Sequence, residues 1–492
     1  MAIAVNFFLT PFIVRSLGNT AYGLWTLLVS LVGYLGYLDL GVRGAVTRYV
    51  ARFHSNADHE QASRIASTAL TLFALAGLTA VLVSGLLSAG LTHWFTVPAE
   101  LRDIARVVLL LGGLNIAASL ASGVFGGIVI GLQRFDYANA VEIVTQGLRA
   151  AGIVLALRHG YGLLALASIQ LAASCARGGA DFWLSQRLYP ELRLRPGTWD
   201  RSWVSVILGY GVASSLLQVL GGIVLNSDSL VIGAFLPVGF ITFFAIAASL
   251  TESARSLVSG VSQTLTPLIS TLEGRGADRE MRDALLVGAR TATLVVTPIA
   301  LTFLMRGRSF IGLWMGSSYA IPSGDVLMIL AAALWTVAAY QVITAVAMGI
   351  SRHAGLVPAF LGEATCNLAL SIWLIRPYGI KGVAWGTTLP RLAFSLVFAP
   401  WYARRTVGVS APQLWAHVWV APTLAMIPYA FGTYLVERFW RAGNLAMFFA
   451  QVGLVLPLAV LGWWLVLSPA GRDQAFAKLR EWRHAHRTES SA

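Results

Sequence analysis

The chain has 492 residues, of which 57% are hydrophobic and only 12% are charged, and its mean hydropathy is +0.71. Soluble domains carry roughly 25% charged residues, so this composition excludes a soluble enzyme, a disordered protein and a disulfide-built secreted module. The formal net charge of +13 is typical of loops that face an anionic membrane leaflet, and its scattered arginines argue against nucleic acid as a partner.

Apolar stretches long enough to cross a membrane follow one another along the chain. A helix needs about 20 such residues to cross the hydrocarbon core. This criterion predicts an all-α integral membrane protein with about 14 transmembrane helices, at residues 1–14, 22–50, 64–91, 105–131, 138–157, 161–187, 203–232, 238–270, 284–305, 323–349, 355–375, 381–403, 414–436 and 444–467. The first stretch would rise only about 21 Å, and we expect that native residues precede it.

Basic residues are distributed unequally between the two predicted sides of the membrane. With the N-terminus inside, nineteen Lys and Arg residues lie on the cytoplasmic side and ten on the other, as the positive-inside rule requires. The sequence therefore predicts cytoplasmic N- and C-termini and a basic cytoplasmic tail at 468–492. The loops are too short for an extramembrane catalytic domain, so we do not expect an enzyme.

The sequence also repeats itself at a separation of 218 residues. Gly131, Arg134 and Arg158 recur as Gly349, Arg352 and Arg376, and Tyr161-Gly162 recurs as Tyr378-Gly379 after a one-residue slip. Six predicted spans separate the copies, and because six is even, both copies have the same orientation. This indicates two pseudo-symmetric six-helix lobes related by a parallel repeat. We predict lobes at 1–202 and 203–405, with two additional transmembrane helices in 406–467.

Twelve charged residues fall inside predicted spans and away from the span ends. They are Arg43, Arg149, Arg177, Arg255, Arg290 and Arg391, with Asp39, Glu142, Asp181, Asp228, Glu252 and Glu363. A charge at the centre of a membrane costs roughly 2.5–3.5 kcal/mol on insertion scales, and such residues usually face a water-filled cavity. The sequence therefore predicts a polar interior.

These charges allow two interpretations. In one, they neutralise each other locally, because Asp39/Arg43 and Arg177/Asp181 are spaced i,i+4, Glu252/Arg255 i,i+3, and Glu142 lies two turns before Arg149. In the other, arginines form a cavity that grips phosphate through the guanidinium fork. The candidate substrate-binding cations are then Arg43, Arg149, Arg255 and Arg391. Asp228, Glu363 and Glu142 are candidates for proton or ion coupling, since burial favours the protonated form of a carboxyl group.

No metal or cofactor is expected. Cys175 and Cys366 each lie inside an apolar stretch, and no C-x-x-C or His/Cys cluster indicates a metal site.

Several blocks of the sequence resemble a known family. The first runs from Pro11 to Phe53 and contains Leu17-Gly18, Tyr22-Gly23-Leu24-Trp25, Asp39-Leu40-Gly41 and Arg48-Tyr49-Val50-Ala51-Arg52. Others are NSDSLVIGAFLPVGFITFFAIA from Asn226, GLWMGSSYAIPS from Gly312 and PYGIKGVAWGT from Pro377. Together they resemble the polysaccharide transporter family, the O-antigen (Wzx-type) flippases of the multidrug/oligosaccharidyl-lipid/polysaccharide (MOP) superfamily.

The resemblance implies translocation of an undecaprenyl-pyrophosphate-linked oligosaccharide across the bacterial cytoplasmic membrane, for O-antigen, capsule or exopolysaccharide biosynthesis. It also implies partners: membrane lipid, the lipid-linked glycan and assembly proteins such as a polymerase. Two alternatives remain open at this point. One is a multidrug/cation antiporter of the same superfamily, although residues 1–14 contain none of the acids expected for a cationic drug. The other is a flippase for lipid-linked peptidoglycan precursors.

Overall fold

The computed structural model describes residues 2–195 and 200–466, and within those ranges it contains helices and no β-strand. The predicted cytoplasmic tail at 468–492 lies outside the described residues. The α-helices are α1 Ala2–Gly33, α2 Val42–Ser55, α3 His59–Trp94, α4 Arg102–Gly131, α5 Phe135–Arg158, α6 Leu163–Leu188, α7 Arg201–Phe235, α8 Gly239–Gly274, α9 Asp278–Trp314, α10 Ser317–Ala320, α11 Pro322–Ala331, α12 Leu334–Gly349, α13 Val357–Tyr378, α14 Ile380–Ala393, α15 Ala399–Val407, α16 Ala411–Leu414, α17 Ala421–Ala425, α18 Ile427–Phe439 and α19 Leu445–Val466. Short 3₁₀ segments lie at Tyr34–Asp39, Ala99–Leu101 and His353–Leu356, and π-helical turns at Phe394–Phe398 and Trp415–Val420.

Eleven helices in the described part of the chain are long and apolar enough to cross a membrane, or up to twelve if the bent pair Ser317–Ala331 and Leu334–Gly349 forms one span. The all-α integral membrane class predicted from the sequence is confirmed. The count of fourteen is consistent with this range and stays a prediction. The difference arises because Val5–Ser55 counts as one run although it contains two predicted spans, and because residues 380–407 are not among the eleven.

A break at Gly18 divides α1 into two helical pieces. Gly18 has φ 77° and ψ 167°, a combination that side-chain-bearing residues rarely adopt. The second piece then packs directly on the turn between α7 and α8. A Cβ on Gly23 would lie 2.0 Å from the backbone oxygen of Val238, and the Thr242 hydroxyl donates to the Asn19 carbonyl at 2.6 Å. In the first sequence block, Leu17-Gly18 therefore provides the break in α1, and Tyr22-Gly23 provides the close contact with the turn between α7 and α8.

The Asp39-Leu40-Gly41 element is the turn into α2. Leu40 and Gly41 both have positive φ, 47° and 78°, which ends the 3₁₀ segment before α2 begins at Val42. The Asp39 carboxylate then accepts the backbone N–H of Arg43 at 3.3 Å, an amide that the first turn of a helix leaves without an intrahelical partner. The acid in this motif therefore caps a helix.

The described chain divides into two compact units. The first combines the chain up to Ser249 with His353–Pro390, and the second combines Leu250–Arg352 with the chain from Arg391 onward. In the first unit, buried apolar side chains of α2, α3 and α4, such as Val46, Ile65 and Val124, form a continuous core. The predicted lobes at 1–202 and 203–405 and the added helices in 406–467 stay a prediction.

The two copies of the sequence repeat end their helices with the same backbone geometry. In the first copy, Leu132, Gln133 and Arg134 donate N–H groups to Ile128, Ile130 and Val129. In the second copy, Ile350, Ser351 and Arg352 donate to Val346, Met348 and Ala347. The middle residue, Gln133 or Ser351, has φ of 59° or 54°.

The glycine before each of these turns also meets an equivalent neighbour within its own unit. A Cβ on Gly131 would lie 2.8 Å from the Thr47 carbonyl oxygen, and one on Gly349 would lie 3.0 Å from the Thr266 carbonyl oxygen. Both helices therefore approach a neighbouring backbone too closely for a side chain. These matches support the parallel repeat at the level of local structure.

Candidate functional site

A polar cavity of about 210 Å³ lies between α2, α4, α5 and α6 of the first unit. We call it the arginine cavity, after Arg43, Arg149 and Arg177 in its wall. The glycines of α4 leave room for it: a Cβ on Gly123 would lie 3.0 Å from the Arg43 guanidinium, and one on Gly126 would lie 3.3 Å from Asp181. The amides of Asn115, Gln146 and Gln170 and the hydroxyls of Ser119, Ser122, Thr145 and Ser174 complete its polar lining.

Arg177 is held between two carboxylates. It pairs with Glu142 of α5 and, at 3.7 Å, with Asp181 one turn later on its own helix. The Asp181 side chain is 5% exposed. Burial of a charge in a low-dielectric interior is tolerated when it is paired and hydrogen-bonded, and this triad meets that condition with one cation between two acids.

Arg43 has a local partner. Its Nε lies 3.7 Å from the Asp39 carboxylate, and its side chain remains 45% exposed. It therefore lies at the accessible edge of the cavity, with part of its guanidinium available to a ligand.

Arg149 differs from both. One of its terminal nitrogens donates to Gln170 Oε1 at 2.9 Å, whereas its Nε is buried without a hydrogen-bond partner. Among the residues that the structure describes, no carboxylate lies within salt-bridge distance of Arg149. Unpaired polar atoms in a dry environment are costly, so this guanidinium gains most from an incoming anion.

Both interpretations of the intramembrane charges, local neutralisation and an arginine-lined cavity, apply to some of these residues. Arg43, Arg177 and Arg255 each contact the acid that lies three or four residues away in sequence, as predicted. Glu142 and Arg149 do not pair with each other: Glu142 accepts from Gln146 at 2.9 Å and pairs with Arg177 across helices. The cavity thus brings together the predicted residues Arg43 and Arg149. Glu142 contacts the cavity wall through its ion pair with Arg177.

The remaining two predicted cations belong to the second unit. Arg255 donates to Glu252 at 2.9 Å, and its side chain is 19% exposed. Arg391 lies half-buried in the last turn of α14. Their roles as substrate-binding cations stay predictions.

A second polar cluster lies between α7, α13 and α14, also in the first unit. We call it the carboxylate cluster: Asp228, 4% exposed, with Ser227, Asn367 and Thr387; Glu363, also 4% exposed, lies one turn before Asn367 on α13. The Thr387 hydroxyl lies 2.9 Å from both Asp228 carboxylate oxygens and accepts from Asn367 at 3.0 Å. Ser227 donates to Asn367 at 3.2 Å. Such a set of buried oxygens, drawn from three helices, can hold a proton or a small cation.

Sequence reasoning missed two buried charges, Arg306 and Asp325, which is 7% exposed. The predicted span 284–305 puts Arg306 in a loop, whereas α9 continues to Trp314 and Arg306 is 1% exposed. Its guanidinium binds Glu437 at 2.8 Å and Gln451 at 2.5 Å and lies 4.3 Å from the Phe448 ring. These partners are more than 125 residues away in sequence, so local spacing carries no signal of the contact. The network joins α9 to α18 and α19.

At least eleven candidate spans with an arginine-lined polar cavity define a multi-pass membrane protein built for transport. The sequence model of the family described as "Polysaccharide biosynthesis protein" matches residues 3–273, more than half of the chain, and the chain belongs to that family. The family resemblance seen in the sequence blocks is thereby confirmed.

Individual relatives agree with this assignment. The putative O-antigen transporter of Shigella flexneri is 18% identical over 407 residues, which cover 81% of this chain and 93% of that protein. The solved structure of the lipid II flippase MurJ in an inward closed conformation has a TM-score of 0.73 at 14% identity, covering 96% of this chain and 98% of that one. An inward-facing multidrug resistance MATE family transporter of the MOP superfamily has a TM-score of 0.67 at 17% identity, covering 84% and 94%. At these identities the two solved structures show the fold alone.

Proposed function

We propose that this protein is a flippase for undecaprenyl-pyrophosphate-linked oligosaccharides, which it moves from the cytoplasmic to the periplasmic leaflet by alternating access of its two predicted lobes. The observation that carries the proposal is Arg149: a half-buried guanidinium with a buried, unpaired Nε, without a carboxylate partner among the described residues, in the wall of a polar cavity. Family membership supports transport of a polysaccharide precursor.

The arginine cavity has the chemistry that a pyrophosphate headgroup requires. Three guanidinium groups offer forked donors to phosphate oxygens, and the surrounding amides and hydroxyls offer hydrogen bonds to sugar hydroxyls. Its volume of about 210 Å³ is below the roughly 300–1,000 Å³ of pockets that enclose a drug-sized ligand. The cavity would therefore hold the charged part of the substrate, while the glycan occupies other space along the path.

An incoming anion also changes the charge balance of the cavity. Arg43, Arg149 and Arg177 are formally balanced by Asp39, Glu142 and Asp181 when the cavity is empty. A bound pyrophosphate would compete with Glu142 for Arg177, and a released carboxylate in this environment would take up a proton. This is the role we propose for Glu142 in coupling.

The carboxylate cluster is the second proposed coupling element. Asp228 and Glu363 are both buried, and burial favours the protonated form of a carboxyl group, so each is a candidate to take up a proton during transport. The Thr387 hydroxyl, 2.9 Å from Asp228, would bond differently to the ionised and to the protonated carboxyl group. Replacement of Asp228 by Asn is expected to make translocation insensitive to the imposed ion gradient without abolishing substrate binding.

The test is translocation in proteoliposomes, with a fluorescent lipid-pyrophosphate glycan as substrate. The Arg149→Gln variant should reduce initial translocation by at least ten-fold, because glutamine keeps a donor and removes the charge. Arg158→Gln, at the exposed end of the same helix, is the matched control and should leave the rate unchanged. Equal rates in both variants would remove the arginine cavity from the mechanism.

The same assay separates the alternatives. Transport of an organic cation in place of the glycan lipid would favour a multidrug/cation antiporter, and a preference for a lipid-linked peptidoglycan precursor would favour that flippase. Arg255→Ala and Arg391→Ala test the second unit. Loss of glycan-lipid binding in these variants is expected, and unchanged binding in both would limit the binding site to the first unit.

We further propose that the protein lies in the bacterial cytoplasmic membrane with both termini in the cytoplasm, where the lipid-linked substrate is made. Polysaccharide assembly proteins such as a polymerase would use the flipped product. An Asn56→Cys variant, with the cysteine in the turn after α2, tests this orientation. Labelling of this cysteine from the periplasmic side would contradict it.

A further inference from the structure

The segment after α6 has a period of two in its burial. Leu192 is 2% exposed and Leu194 packs against the same apolar core of α2, α3 and α4, whereas Arg193 and Arg195 are exposed. The N–H groups of Arg193 and Arg195 donate to the hydroxyls of Ser63 and Ser67, both at 3.0 Å. Because Ser63 and Ser67 are one turn apart on α3, the segment lies along that helix and presents its two arginines on the side away from the core.

These arginines line a second cavity, of about 620 Å³, together with Arg64 of α3 and Arg201 at the start of α7. We call it the headgroup pocket. Three acids share its wall: Glu60 pairs with Arg64 at 2.7 Å, Asp200 accepts from the Ser202 N–H at 3.0 Å, and Glu191 completes the set. Four guanidinium groups against three carboxylates leave the wall with excess positive charge.

Aromatic side chains mark the depth of the headgroup pocket relative to a membrane. Trp203 packs edge-to-face against Tyr49 and Phe53, with ring centroids 5.4 Å apart in each case, and its indole N–H donates to Gln61 at 3.2 Å. Tyr and Trp with one apolar side and one hydrogen-bonded tip are typical of the membrane–water interface. The pocket is therefore at headgroup level, at the end of the unit where the arginine distribution predicts the anionic cytoplasmic leaflet.

We propose that the headgroup pocket binds the phosphate group of an anionic phospholipid from the surrounding membrane. Guanidinium groups bind phosphate through two parallel hydrogen bonds, and Arg64 of α3, Arg193 of the connecting segment and Arg201 of α7 all line the pocket. The pocket is separate from the arginine cavity, because the two share no lining residue. Lipid binding at this position would join the α6–α7 connection to α3.

The experiment uses the full chain in nanodiscs of phosphatidylcholine that contain a minor fraction of phosphatidylglycerol, with lipid retention measured by native mass spectrometry. The wild-type protein should retain phosphatidylglycerol over phosphatidylcholine by at least five-fold, and Arg193→Gln/Arg201→Gln should lose most of this preference. Arg158→Gln/Arg438→Gln is the matched control, since it removes two exposed arginines from helix ends predicted to lie on the other side. Its preference should equal that of the wild type.

Two results would overturn the proposal. One is equal retention of phosphatidylglycerol by the glutamine double variant and the wild type. The other is complete displacement of the lipid by millimolar inorganic phosphate, which would indicate a site for soluble anions. Arg193→Lys/Arg201→Lys keeps the charge and removes the fork. Retention between that of the glutamine variant and that of the wild type is expected if charge and fork both contribute, and retention equal to that of the glutamine variant would assign recognition to the fork alone.

Discussion

Replacement of Arg306 by methionine is expected to lower the free energy of unfolding by about 3–5 kcal/mol, the range seen when one partner of a buried ion pair is removed. Arg306 is 1% exposed and binds Glu437 and Gln451 at 2.8 and 2.5 Å. Methionine keeps much of the side-chain volume, so the loss would reflect interactions more than a cavity. The variant leaves the Glu437 carboxylate without its cation.

The magnitude follows from the contacts that disappear. Two hydrogen bonds to a charged group contribute about 1.5–3 kcal/mol each, and a desolvated cation–π contact such as that between Arg306 and Phe448 contributes about 2 kcal/mol. Together these set an upper bound of about 5–8 kcal/mol. The expected value is lower because Glu437 is 20% exposed and can recruit water after the substitution.

A matched control is an ion pair that is exposed on both sides. Arg106 pairs with Asp103 one turn earlier on α4, with side chains 46% and 92% exposed, and exposed pairs contribute about 0–1 kcal/mol. Arg106→Met should therefore change stability little. Unfolding of both variants in mixed micelles of increasing SDS content gives the comparison. Equal destabilisation by the two substitutions would refute the argument that burial decides the strength of these pairs.

Two further substitutions test local geometry and pH dependence. Gly131→Ala should destabilise by about 1–3 kcal/mol, because its Cβ would lie 2.8 Å from the Thr47 carbonyl, whereas Gly147→Ala, with nothing within 4 Å, should stabilise by about 0.5–1 kcal/mol; unfolding midpoints that rank the two the other way would contradict the close packing of α2 and α4. Hydrogen bonds from Ser202 lower the pKa of Asp200 below its ordinary 3.8, so its contribution to stability is present above pH 3.8 and is lost as the pH falls below that value. Asp200→Asn should flatten the stability profile below about pH 3.8, and an unchanged acid dependence would exclude the Asp200 cap of α7 as its source.

Much of the architecture could be predicted because lipid imposes strong rules on sequence. A crossing helix must satisfy its own backbone and must be apolar, so hydropathy alone indicated the helical class and most spans. Local charge pairs were also predictable, since residues three or four apart share a helix face; Arg43 and Arg255 contact the acids expected from their spacing.

Contacts between helices could not be predicted in this way. Which side of α5 faces α6 depends on rotation and packing, and these decide that Glu142 meets Arg177 while Arg149 meets Gln170. The bond between Thr387 and Asp228 spans 159 residues, and hydropathy contains no information about it. Arg306 was predicted to lie in a loop because α9 extends beyond the apolar stretch. Its partners Glu437 and Gln451 are distant in sequence, so no local pattern indicates them.

The matching helix ends at Gln133 and Ser351 bear on the origin of the chain. Each puts a residue other than glycine in a left-handed conformation, at a cost of about 1–2 kcal/mol, and each does so 218 residues from its counterpart. The same three-bond turn also ends α5 at His159, Gly160 and Tyr161, where the middle residue is a glycine. The form with a side chain at the strained position, a preceding glycine and a following arginine recurs at corresponding places in the two copies. This is the pattern expected if a duplication produced the repeat and backbone geometry was retained longer than side-chain identity.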